Sequence, residues 1–215
     1  LSYAAFIKHP KWIIGYSDIT AFHSHIHNLG VETIHGMMAS SLEENPADIR
    51  ETISSFKRAL FGTQLAYTIP SSKYNRNTIV NTDKVLKGQL VGGNLSILMS
   101  MLGSVSQLDT AHKILFIEEI GEYKYSIDRM LQSLKRAGYF KSVKAILVGD
   151  MSNIKKNTTS WGSSIEELIL NAVPKDIPVL FDFPSGHEAD NRALIFGREL
   201  QLTISNTEYS IVFKK

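Results

Sequence analysis

Along the chain, short apolar runs alternate with segments whose apolar residues recur every three or four positions, the pattern of strands interleaved with amphipathic helices. Residues 12–16 read as a buried strand, and 18–28 as the helix after it, with Ile19, Phe22, His23 and Ile26 on one face. Gly30 sits where a helix stop belongs. Residues 31–35 read as a second strand, and 46–60 as a helix with Asn45 as its N-cap and Pro46 at its first position. The polar, turn-rich stretch 70–81 reads as a linker. Beyond it the pattern predicts strands at 85–91, 114–117, 145–148 and 179–181, and helices at 95–102, 123–137 and 165–173. A strand pair across 200–213 closes the chain. This alternation predicts an α/β fold with a more antiparallel end, divided into a first region at 1–70, a linker at 71–81 and a second region at 82–215.

Composition narrows the function classes. With 23 basic and 21 acidic residues, the net charge of +2 leaves no electrostatic footprint for a nucleic acid. The absence of cysteine excludes a disulfide scaffold, a thiolate nucleophile and a Cys-ligated metal. No apolar run approaches the ~20 residues that a membrane-spanning helix needs. The chain opens Leu-Ser-Tyr, without Met, so a fragment or a processed product is expected.

Three residues stand out for their chemistry. Ser17, in Gly15-Tyr16-Ser17-Asp18, falls on the turn between a predicted strand and helix, the setting of a nucleophile elbow. The helix N-terminus beyond it offers free N–H groups to an oxyanion. On position alone, a plain helix cap outweighs that reading. Glu118 ends the apolar run 114–117 and could orient an imidazole, although Glu118, Glu119 and Glu122 taken alone read as a solvated acidic loop. His187 lies in a Pro-Ser-Gly-His loop after a predicted strand, open enough to display a general base. The order Ser, Glu, His is the one α/β-hydrolases use.

Other candidates are weaker. His23 and His27 have metal-ligand spacing, but no acidic residue completes a zincin motif, and a helix-face reading is favoured. His35 either lines the same crevice as Ser17 or ends a strand. Gly92-Gly93-Asn94 opens a helix and either admits a ligand closely or makes a plain helix-start turn; it is neither a Walker A loop nor a dinucleotide fingerprint. Arg192 is a candidate for a substrate carboxylate, with an ordinary surface arginine as the equal alternative.

Four segments, Gly15-Tyr16-Ser17-Asp18-Ile19-Thr20, Val91-Gly92-Gly93-Asn94-Leu95, Ile117-Glu118-Glu119-Ile120-Gly121-Glu122 and Pro184-Ser185-Gly186-His187, together resemble the LD-carboxypeptidase family of serine peptidases. That family includes murein tetrapeptide carboxypeptidases and the microcin C immunity peptidase. The resemblance implies Ser17 as nucleophile, His187 as general base, Glu118 as its orienting carboxylate and the Asp18 N–H as one oxyanion donor. It implies a cofactor-free and metal-free cytoplasmic enzyme, commonly a homodimer, that removes a C-terminal D-amino acid from muropeptides during cell-wall recycling.

The same resemblance implies a Rossmann-like or flavodoxin-like first lobe and a mixed α/β, swivelling-type second domain. Family chains carry a further front segment with a Gly-Gly loop for the second oxyanion donor, and here the chain starts short of it. The first lobe is therefore expected to be incomplete, and mobile, displaced or rescued by a partner chain, and the triad, straddling the two regions, imperfect. The alternatives are an immunity-type amidase acting on a peptidyl- or aminoacyl-nucleotide, for which Trp161 is a candidate stacking residue although a core or surface role for it is favoured, and a non-catalytic fragment.

Overall fold

The computed structural model describes residues 3–76, 84–156, 159 and 162–215; part of the expected linker and the Trp161 turn lie outside them. The first third of the chain runs α1 (Ala4–Lys8), β1 (Ile14–Gly15), α2 (Thr20–Asn28), β2 (Thr33–His35), α3 (Arg50–Leu60) and β3 (Ala66–Pro70). The middle runs β4 (Lys84–Asn94), α4 (Leu95–Ser100), β5 (Ile114–Ile120), α5 (Lys124–Arg136), β6 (Ala145–Ser152) and α6 (Ile165–Ala172). The end is all strand: β7 (Val179–Leu180), β8 (Leu194–Phe196), β9 (Glu199–Ile204) and β10 (Glu208–Phe213).

The fold is mixed α/β, built on a three-stranded sheet ordered β1-β2-β8 and a seven-stranded sheet ordered β3-β10-β9-β4-β5-β6-β7. Strands β4 to β7 are parallel, while β9, β10 and β3 are antiparallel. The continuous apolar runs of the parallel strands follow from burial on both faces. Leu115, Ile117, Ile146 and Val148 pack with α4, α5 and α6, while Ile114, Phe116, Ala145 and Leu147 pack toward the small sheet.

Two strands escape the local pattern because their partners are distant in sequence. Strand β3 pairs with β10, and β8 pairs antiparallel with β2, so each sheet takes a strand from the far side of the 71–81 stretch. Ile34 and Phe196 of the small sheet share one apolar cluster with Leu90, Phe116 and Leu202 of the large one. The small sheet therefore does not depend on a core of its own.

Two helix starts differ from expectation. The helix expected from 46 begins at Arg50, because Asn45 Oδ1 accepts the Ala47 N–H at 3.0 Å and holds a local turn instead. The helix expected from 18 begins at Thr20, after a 3₁₀ turn at Ser17–Ile19.

Candidate active site

Ser17 stands where β1 turns into that 3₁₀ helix, at φ 59°, a left-handed conformation that non-glycine residues rarely adopt. The turn closes tightly: a Cβ on Gly15 would lie 2.7 Å from Ile19 Cγ1. His23, one turn into α2, donates from Nε2 to the Gly15 carbonyl at 3.0 Å and accepts the Thr33 hydroxyl on Nδ1 at 2.8 Å. Burial lowers its pKa to about 4, so the imidazole stays neutral and serves as a clamp. His27 is also lowered, by burial and by Lys113, and takes different surroundings; the pair at i, i+4 shares no ligand position.

The Val91-Gly92-Gly93-Asn94 segment docks this elbow on the large sheet. A Cβ on Gly93 would meet Thr20 Oγ1 at 2.4 Å, and one on Gly92 would meet the Phe116 carbonyl oxygen at 1.9 Å. The Asn94 N–H donates to Thr20 Oγ1 at 2.9 Å, and the Asn94 side chain caps α4 by accepting the Ile97 N–H. All three residues are buried in these contacts.

Glu118 and Glu119 are both buried, not solvated, and they do different things. Successive residues of β5 face opposite sides of the strand, so the two carboxylates reach separate partners, and the ladder's register shift between Ile117 and Glu119 puts its extra residue on β6. Glu119 accepts the Asn94 amide at 3.0 Å and the Ser96 N–H at 2.8 Å, fixing the start of α4. Glu118 accepts His187 Nδ1–H on Oε2 at 2.7 Å, and its Oε1 has no hydrogen-bond partner among the described residues. Burial lifts the Glu118 carboxyl above its usual range, with the His187 hydrogen bond pulling against it. Burial alone would lower the His187 pKa, but the hydrogen bond and charge of Glu118, with Glu119 and Asp150 beyond, leave it raised.

The loop that displays His187 follows β7 and is tethered throughout. Asn191 Oδ1 accepts the Gly186 N–H and the Ser185 hydroxyl, each at 3.2 Å. The Asn191 N–H in turn donates to Thr52 Oγ1 at 2.8 Å. His35 is wholly buried behind the site with Nδ1 3.3 Å from Ser185 Oγ, and burial holds its pKa well below the usual histidine value. It backs the crevice without lining it. The Tyr16 ring meets the His187 ring edge-on, with centroids 5.0 Å apart, and so brings the elbow beside the imidazole.

The structure thus joins Glu118 to His187 and sets the elbow against them, while no hydrogen bond links Ser17 Oγ to the ring. The Asp18 N–H is used by no hydrogen bond among the described residues. Arg192 is engaged twice over by Asp190, through Nε at 3.0 Å and Nη2 at 2.8 Å. A cleft of about 450 Å³ opens beside the imidazole, lined by Tyr16, Ser40, Ser41, Glu43, Glu44 and His187 among others. Sequence reasoning passed over Tyr16 and Asp150, although Asp150 carried the same signal as Glu118, an acidic residue ending an apolar strand.

Comparison with known proteins gives the chain's relatives. Residues 87–202 match the LD-carboxypeptidase C-terminal domain, and residues 1–36 match the LD-carboxypeptidase N-terminal domain. A probable murein peptide carboxypeptidase of Bacillus subtilis is 38% identical over 88% of this chain, which spans 59% of that relative's length. The microcin C7 self-immunity protein of Escherichia coli is 31% identical over 98% of the chain and 68% of its own length. A crystal structure of muramoyltetrapeptide carboxypeptidase from Oxalobacter formigenes superposes with a TM-score of 0.84 at 25% identity, covering all of this chain and 72% of that one.

Proposed function

The chain belongs to the LD-carboxypeptidase family, and on that premise we propose that it carries the catalytic residues of a serine carboxypeptidase acting on murein peptides. The observation that carries the reading is the pairing of buried Glu118 with half-buried His187, set beside a strained serine elbow. Ser17 Oγ attacks the carbonyl before a C-terminal D-amino acid while His187 Nε2 takes its proton. The Asp18 N–H, at the start of the 3₁₀ turn, donates to the oxyanion of the tetrahedral intermediate. His187 then protonates the departing amine, leaving an acyl ester on Ser17, and water activated by the same imidazole releases the shortened peptide. Glu118 holds the Nδ1–H tautomer and balances the charge that His187 gains at each transfer.

In this reading Gly92, Gly93 and Asn94 shape the site by seating the elbow. The two family matches, over 1–36 and 87–202, fit a division of the chain somewhere between them, a stretch that includes 71–81. Family membership also supports a cofactor-free, cytoplasmic homodimer working in cell-wall recycling. Incubation with a murein tetrapeptide and assay of free D-alanine tests the activity. Ser17→Ala is expected to lower release by about four decades or more, and a variant as fast as the parent would end the assignment. The likeness to the self-immunity protein favours a second reading, an amidase of peptidyl- or aminoacyl-nucleotides by the same chemistry. Turnover of a nucleotide-peptide analogue faster than the muropeptide would select it.

A further inference from the structure

We propose that Asp150 is a positioning residue for His187, clamping the 185–188 loop at both ends and holding a negative charge behind the imidazole. The inference rests on reading His187 as the general base. Asp150 lies near the carboxyl end of β6, and it ties both flanks of the histidine. Its N–H donates to the Ser185 carbonyl at 2.9 Å, and its Oδ2 accepts the Glu188 N–H at 3.0 Å.

The contact between strand end and loop is close enough to exclude side chains. A Cβ on Gly186, at φ +146°, would lie 2.8 Å from Asp150 Cβ, and one on Gly149 would lie 2.3 Å from the Ser185 carbonyl oxygen. The glycine before the histidine therefore answers to Asp150. A shift of Asp150 would move the imidazole away from both Glu118 and the elbow.

Hydrogen bonding alone does not require a carboxylate, since an amide would accept the same N–H. The charge has its own consequence: Asp150 is among the groups that raise the His187 pKa. It is held in acidic surroundings. Glu118 faces it from β5, Glu188 and Asp190 from the loop, and Glu166 and Asp182 line the same cleft of about 290 Å³. Burial first, and then the charges of Glu188, Glu118 and Asp190, push its pKa up to about 6, against the pull of the Glu188 N–H. It is thus ionised at neutral pH, and below pH 6 the clamp keeps an acceptor while the charge goes.

The test reads the His187 imidazole directly, by NMR titration of its Cε1–H in the parent protein, in Asp150→Asn and in Asp150→Ala. His187→Gln assigns the signal. In Asp150→Asn the His187 titration is expected at lower pH, with the Glu188 amide still protected from exchange. In Asp150→Ala that protection is expected to fall as well. On a murein tetrapeptide, Asp150→Ala should lose about ten- to a hundredfold in kcat with little change in KM. Asp150→Asn should restore most of that loss, with the acid limb of kcat/KM displaced to lower pH.

An unchanged His187 titration in Asp150→Asn would overturn the charge role. Undiminished Glu188 protection in Asp150→Ala would overturn the clamp. If no protein, parent included, turns over the peptide, the proposed activity fails, and the titration and exchange still decide the role of Asp150.

Discussion

The turn that carries Ser17 is held by backbone geometry and uncharged contacts, whereas the loop that carries His187 is held by carboxylate charge as well as side-chain hydrogen bonds. On the Ser17 side the contacts are a residue at φ 59°, glycines pressed against Ile19 and Thr20, and an imidazole kept neutral by burial. On the His187 side they are Glu118 at 2.7 Å, Asn191, and Asp150 on both flanks. The difference suits the two tasks. A nucleophile has to be presented without a charged neighbour that competes for its proton, while a base has to be oriented and its cation stabilised. Damage to the two regions should therefore be read by different measurements.

Apart from loss of the nucleophile itself, the largest expected effect falls on the charged side. Glu118→Gln keeps the shape of the side chain and removes the carboxylate that selects the Nδ1–H tautomer. A loss of about four decades in kcat is expected, at near-parental KM. Stability should not fall with it, because the substitution also removes a buried charge with one unpartnered oxygen. Parallel kinetics and urea denaturation separate the two. A variant that loses stability and rate together would mean that the pair is structural.

Much of this comparison was legible in the sequence, and unevenly so. The elbow serine, the strand-end glutamate and the loop histidine each sit at a local signal, a turn or the end of an apolar run. For the serine and the glutamate that signal alone favours a plain cap and a solvated loop, and the four segments together point to the site. What holds these residues has no such signal. Whether Glu118 or Glu119 turns to the site depends on which face of β5 the loop after β7 covers, and that is set only once distant strands are assembled. Strands β3 and β8 look ordinary until partners more than a hundred residues away give them a sheet. Asp150 matters through Ser185 and Glu188, more than thirty residues on, so no window of sequence contains its role. The glycines of Gly92-Gly93 were visible, but the reason for them, Phe116 and Thr20, was not.

The neutral side should show itself in stability as pH falls. His23 ordinarily titrates at 6.5, and in the fold its pKa is lowered to about 4. Between those values the unfolded chain binds the extra proton and the native one does not, so stability rises with pH across that window. Integrated, His23 alone accounts for about 3 kcal/mol lost as pH drops from 6.5 to 4. Asp150, lifted from 3.8 to about 6, acts with the opposite sign over its own window, so the difference between parent and variant is what isolates His23. Urea midpoints for the parent and His23→Gln should converge toward pH 4 and diverge toward pH 7. Parallel pH profiles would mean that the clamp on Gly15 does not stay neutral.

The smallest effect expected is at Arg192, and it marks where the charged region ends. A guanidinium that receives a substrate carboxylate has to present its fork, and here Nε and Nη2 already face both Asp190 oxygens at 2.8 to 3.2 Å. The pair is partly exposed, with side-chain accessibilities of 23% and 39%, so it contributes no more than about 1 kcal/mol to stability. What anchors this stretch instead is backbone: the Arg192 N–H donates to the Pro184 carbonyl at 2.9 Å whatever side chain it bears. Arg192→Met should therefore change KM for a murein tetrapeptide by less than about threefold, where loss of a direct carboxylate contact would raise it tenfold or more. A tenfold rise in KM with unchanged kcat would show that Arg192 leaves Asp190 for the substrate, and the charged region would then extend five residues beyond His187.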